Sequence, residues 1–141
     1  MTALAAVRGT KSRSLGRKVS YLMKASTQIY AGGMVMIDTT GLAQPANAEA
    51  GNNGCVGVAT TSVLSTASGN ERITVQEGIF LFAAASIAQA NVAERVFAHD
   101  DQTIDETTGS NTPLAGVLVE FVSSTSGWVY IALGTSISKA T

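Results

Sequence analysis

Along residues 72–85 (RITVQEGIFLFAAA) apolar and polar positions alternate: Ile73, Val75, Ile79 and Leu81 recur at odd positions, with Thr74 and Gln76 between the first of them. A two-residue period marks a strand with one face buried. After Glu77-Gly78 the alternation gives way to Ile79-Phe80-Leu81-Phe82, apolar on both faces. Gly78 is therefore expected at a bulge or bend, where a half-exposed strand enters the core. This stretch predicts the central strand of the chain.

The flanking pattern is also that of strands and turns. Residues 34–38 (MVMID) read as a short strand closed by turn residues 38–41, and residues 42–46 return as a second, placed at a sheet edge by Pro45. Residues 47–54 (NAEAGNNG) form a loop in which Asn53-Gly54 is a hairpin-type signal. Residues 55–61 predict a strand, joined to the central one by a polar connection at 65–70. The alanine-rich residues 86–93 predict either a short helical turn capped by Ser86 or a loop crossing the end of a barrel. Residues 95–99 end in the turn Asp100-Asp101, residues 103–105 return briefly, and residues 114–122 and 127–133 form a hairpin through 123–126. In its second strand Trp128 and Tyr130 alternate with Val129 and Ile131. One pair faces the core and the other solvent or a subunit interface; the default place for the aromatics is the core.

About eight or nine short strands spaced by turns predict an all-β domain, a small β-barrel or β-sandwich. There is an internal echo: Val56-Gly57-Val58, a Ser-Gly connection and Ile73-Thr74-Val75 parallel Ala115-Gly116-Val117, Ser126-Gly127 and Val129-Tyr130-Ile131. A duplicated β-unit and coincidence in a Ser/Gly/Val-rich chain account for it equally well.

Composition bounds the rest. At 141 residues and 45% hydrophobic content, one domain with one core is expected. Charged residues make up 13%, about half the usual share, which suits a surface packed against neighbours better than a freely diffusing enzyme. Six of the nine bases (Arg8, Lys11, Arg13, Arg17, Lys18 and Lys24) precede the first acid, Asp38, and the remaining three face ten acids. The chain thus carries a cationic leader on an acidic body. Gly9 and Gly16 argue against a firm helix in that leader. Residues 1–27 are accordingly expected to be an extended N-terminal arm, with little structure of its own until a partner orders it, and residues 28–141 the domain proper. The Arg- and Ser-rich, acid-free leader also has the composition of a mitochondrial presequence, a weak signal. No stretch approaches the length of a membrane-spanning helix.

Candidate chemistry is sparse. His99 is the only imidazole and Cys55 the only thiol; they fall on separate predicted strands, and no serine sits in a nucleophile-elbow pattern. Cys55, within Cys55-Val56-Gly57-Val58, reads as a buried small hydrophobe. Asp100, Asp101, Asp105 and Glu106 cluster, but without the glycine-centred spacing of a calcium loop, and read as a solvated acidic turn. Gly32-Gly33 and residues 51–54 lack the Lys-Ser/Thr pair of a phosphate cradle. No enzyme, no metal and no cofactor is expected. The basic arm favours a protein partner over nucleic acid, because Tyr21 is its only aromatic and no reading motif accompanies it.

The order of the blocks carries more than any one of them. An arm leads to AGGMVMID and GLAQPA, then NGCVGVATTSVLS, ITVQEGIFLFAA, AERVFAHDDQTIDETTG, PLAGVLVEF and GWVYIAL. From about residue 28 to 134 this resembles the small head decoration, or capsid cement, proteins of tailed bacteriophages. The matching positions are Val75, Glu77 to Phe80, Val96-Phe97, Asp100-Asp101, Thr108-Gly109, Gly116 to Glu120 and Val129 to Leu133. The long cationic arm and the longer connection at 61–70 depart from the pattern. The resemblance implies a non-enzymatic virion protein on the outer surface of the capsid. It implies major capsid protein as partner, a homo-trimer or other homo-oligomer on the shell, and a bridging role whose strength comes from multivalency.

Within that reading Arg8, Lys11, Arg13, Arg17 and Lys18 are expected to dock the arm electrostatically, and Leu15, Val19 and Leu22 to anchor it. The alternatives are a β-barrel module binding carbohydrate or a host surface, which needs aromatics on exposed loops, and a tail-tube-like virion subunit, which would assemble into rings.

Overall fold

The structure, a computed structural model, describes residues 2–107 and 109–134. Thr108 and the last residues of the expected domain, 135–141, lie outside the described residues. The strands are Ser12–Leu22 (β1), Gln28–Ile29 (β2), Met34–Ile37 (β3), Ala43–Pro45 (β4), Cys55–Ala59 (β5), Val63–Leu64 (β6) and Arg72–Ala84 (β7), then Arg95–Asp100 (β8), Thr103–Asp105 (β9), Leu114–Ser123 (β10) and Ser126–Ile131 (β11). A 3₁₀ turn at Gln89–Asn91 interrupts them. The fold is all-β.

Five strands close on themselves. β7 pairs with β11, β11 with β10, β10 with β8, β8 with β9, and β9 returns to β7, the last contact being parallel. Closure removes sheet edges, which a small β protein must otherwise protect. From β7 the sheet also continues outward through β5 and β3 to β4, and the order β4-β3-β5 makes residues 47–54 a crossover loop. The Asn53-Gly54 signal therefore marks the entry to β5, with Gly54 at a positive φ, and not a hairpin turn. Pro45 ends the outermost strand of that wing, where a missing N–H costs nothing.

The long strand β7 is the hub, and its buried face changes midway. Ile73 and Val75 are buried against Met23, Ile29, Val35, Ile37 and Val56 in one core. Phe80, Phe82 and Ala84 are buried in the barrel with Val96, Ile104, Leu118, Val129 and Ile131. Odd positions thus serve the first core and even positions the second, so Ile79 and Leu81 are only half-buried. One strand covered on opposite faces at its two ends explains why its sequence loses alternation at Gly78. The irregularity itself lies across from Gly78, in β1, where the stretch Leu15 to Lys18 spans only Gly78 to Gln76. Gly78 is required by proximity: a Cβ there would collide with the Ser14 carbonyl oxygen. Gly57 and Gly116, the centres of the two echoed blocks, share such a role; their added Cβ atoms would meet the carbonyl oxygens of Gln76 and Tyr130.

The leader differs most from expectation. Residues 12–22 are β1, antiparallel to β7 from Arg72 to Phe80 within the same chain. A sheet edge as long as that of β7 leaves a row of main-chain donors and acceptors to satisfy, and the leader satisfies them. It is extended, as expected, but it is built into the body and does not wait for a partner to acquire structure.

Candidate interaction surface

At Val75-Gln76, β1 and β5 both pair with β7, and at Gly78 to Phe80 β1 and β11 both do. A strand has two edges, so β1 holds one of them alone over this length, while β5 and β11 share the other. No strand among the described residues pairs with the outer edge of β1. It is a long free edge among the described residues, and its side chains are exposed from Ser12 to Lys18.

Ahead of β1 the segment from Thr2 to Lys11 is tied down by hydrogen bonds along its length. The Leu4 N–H donates to Asp101 Oδ1 at 2.7 Å, the Arg8 N–H to the Ala31 carbonyl at 2.8 Å, and Thr10 Oγ1 to the Gly32 carbonyl at 2.6 Å. Gln102 Nε2 also donates to the Thr2 carbonyl. Gly32 has a positive φ, and the Arg8 carbonyl lies where its Cβ would be, so only glycine admits the segment here. The Asp100-Asp101 turn, expected to be solvated, is buried: Asp100 and Asp101 are 7% and 2% exposed. Burial raises the pKa of Asp101, the Asp100 charge adds to this, and the Leu4 N–H opposes it. The leader meets Asp101 through the Leu4 N–H, and Gly33 lies beside its other oxygen. Asp100 Oδ1 accepts the Gln102 N–H at 2.9 Å, and its Oδ2 has no hydrogen-bond partner among the described residues.

The residues expected to grasp a partner separate into two groups. Arg17 is taken up internally: its Nε and Nη2 donate to Glu77 Oε1 and Oε2 at 2.9 and 3.0 Å. Glu77 is buried and also accepts the Leu133 N–H at 2.9 Å. The Arg17 hydrogen bond, followed by that of Leu133, outweighs burial and lowers the carboxylate's pKa, while Glu77 raises that of Arg17. Arg13 donates to Glu120 at 2.6 Å and lies 3.9 Å over the Trp128 ring. Arg8 is half-buried, with its guanidinium 4.7 Å from the Phe82 ring centre. Val19 is half-buried against the first core. These four hold the chain together, which sequence order alone does not reveal because each partner lies far along the chain.

Lys11 and Lys18 remain exposed, with no ion pair among the described residues. Leu15 is 59% exposed, and Leu22 is exposed as well. Leu15 does not stand alone. Across β7, β11 and β10 the register aligns Ile79, Tyr130 and Val117 in one outward row next to it, and with Val119 they line a shallow groove of about 530 Å³. The alternation of β11 was legible, but the core takes Val129 and Ile131, so Tyr130 faces outward at 41% exposure and Trp128 is half-buried beneath Arg13.

His99 is exposed on β8, Cys55 is buried within β5, and no three of His, Cys, Asp and Glu among the described residues come together to hold a metal ion. No helix of the described residues is long and apolar enough to cross a membrane. No known family model, curated protein or solved structure matches the chain.

Proposed function

We propose that this chain is a structural subunit that decorates the outer surface of a tailed-phage head and bridges neighbouring major capsid proteins. The resemblance of its ordered blocks to capsid cement proteins motivates the reading. The observation that carries it is the free edge of β1, flanked by Lys11, Lys18 and the row from Leu15 to Val117. A long exposed strand edge is normally blunted, and lysines on it discourage pairing between like copies while admitting an acidic partner. A low-charge surface with an apolar groove is suited to permanent contact on a lattice, where modest contacts repeated over neighbours add up. The carbohydrate-binding alternative loses ground because the Arg13 guanidinium occupies one face of Trp128.

Lys11→Glu and Leu15→Asp test the reading, since neither side chain makes a hydrogen bond or ion pair among the described residues. Added to undecorated expanded heads and imaged by cryo-electron microscopy, the wild type is expected to occupy regular outer sites and the double variant to leave them mostly empty. Full occupancy by the variant, or no particle density for the wild type, overturns the assignment.

A further inference from the structure

The leader's cations are unevenly neutralised. Arg13, Arg17 and Lys24 meet Glu120, Glu77 and Glu49, whereas Arg8 meets no acid among the described residues. A guanidinium drawn partly out of water without a counter-ion is costly. Part of that cost is offset: Arg8 Nη1 donates to Thr10 Oγ1 at 2.8 Å and to the Leu81 carbonyl at 3.2 Å, and the Phe82 ring lies beneath. Its Nε and Nη2 donate to nothing among the described residues. These two atoms form the side-on fork that matches the two oxygens of a carboxylate. Arg17 uses the same pair of atoms to hold Glu77.

Arg8 lines a cavity of about 330 Å³ between the leader, β5 and β7. Lys18 lines it too, together with Gly9 and Ser12, and none of its lining residues is acidic. The Gly9 N–H and the Ser12 hydroxyl have no hydrogen-bond partner among the described residues. Phe80 and Val58 supply an apolar wall. Free donors of positive sign beside an apolar wall, in a concavity near the lower size of small-ligand sites, make a recognisable set.

We propose that this cavity is a carboxylate-binding site, with the Arg8 fork clasping both oxygens, Lys18 supplying the second positive charge, and Ser12 and Gly9 donating at the rim. The carboxylate belongs either to a small organic acid or to an acidic side chain of a protein segment. The site lies on the other side of β7 from the apolar row of the docking surface, with Leu15 lining both concavities and Lys18 standing between them.

The test uses the full chain labelled with ¹⁵N and follows the amides of Gly9 and Ser12 and the Arg8 Nε–H during titration. The probes are sodium succinate, a capped peptide containing one glutamate, and sodium phosphate, each balanced with sodium chloride to constant ionic strength. Saturable shifts at these groups with succinate, with the peptide, or with both support the site, and the arm that saturates identifies the source. Lys18→Gln, an exposed position that leaves the fold intact, is expected to weaken binding roughly fivefold to tenfold, as loss of a charge-assisted contact does. Arg8→Lys keeps the charge but removes the fork and is expected to weaken it roughly tenfold or more. Shifts that follow ionic strength alone, equal affinity in Lys18→Gln, or saturation by phosphate with neither carboxylate binding would each overturn the proposal.

Discussion

Glu77→Gln isolates the contact that fastens the leader to the barrel. Glutamine has the shape of a protonated glutamate, so the substitution removes charge and one acceptor while conserving volume. In the wild type three donors converge on the carboxylate: Arg17 Nε at 2.9 Å, Arg17 Nη2 at 3.0 Å and the Leu133 N–H at 2.9 Å. With glutamine, one oxygen remains, and its NH₂ group must face a donor. Hydrogen bonds to a charged group contribute about 1.5–3 kcal/mol each when well buried, but Arg17 is mostly exposed and its share is screened. A net loss of about 2 kcal/mol at neutral pH is expected for Glu77→Gln, or a fall in melting temperature of roughly 6–10 °C for a domain of this size. The pH dependence is the sharper test. The folded-state pKa of Glu77 lies below its ordinary value, so its stabilisation is complete above the unfolded-state pKa and is lost as pH falls through the folded one. Urea melts of both proteins from neutral pH down to about pH 3 should therefore show the gap narrowing with acid. Asp101, whose pKa is shifted the other way, contributes equally to both proteins and cancels. A gap that stays constant with pH, or widens, would refute the ion-pair account of Glu77.

Two further outcomes follow from the same packing. Deleting residues 1–24 removes β1 and the segment over Asp101, leaving the β7 edge unpaired from Arg72 to Phe80; size-exclusion chromatography should find aggregate or a destabilised species, not a well-behaved monomeric core. Cys55 is wholly buried, and burial raises its thiol pKa, so a thiol reagent should leave the native protein unmodified and react only as urea unfolds it.

The central strand, the closing hairpin of β10 and β11 and the edge position of Pro45 were legible because each is written in a local pattern: alternation, two apolar runs joined by a short Ser/Thr connection, a missing donor. The change of buried face in β7 was visible as lost alternation, but its cause was not, since two cores on opposite faces are a property of what packs there. β1 was illegible for a related reason. Its glycines and scattered charges fit an unstructured leader, and the feature that orders it is the β7 edge about sixty positions away in sequence. Asp100 and Asp101 read as surface acids because acidic pairs usually are; both are buried, and part of what meets Asp101, the Leu4 N–H, comes from the far end of the chain.

This division changes what the positive charge of the leader can do. Counted along the sequence, the leader offers a block of cations to any acidic neighbour. Counted in space, Arg13, Arg17 and Lys24 are spent on Glu120, Glu77 and Glu49, which leaves Lys11 and Lys18 exposed and Arg8, with Lys18, lining a cavity. An acidic partner would therefore meet a few charges spaced along one strand edge, with Leu15 between them, and not a dense polycation. Such an arrangement favours register over strength: charges at fixed positions on a rigid edge select a partner whose acids match their spacing, and salt weakens that selection only modestly because few ions are released. The apolar row from Leu15 to Val117 then supplies the area that charge does not. Binding dominated by this row should survive moderate salt, whereas a flexible cationic tail would release its partner under the same conditions.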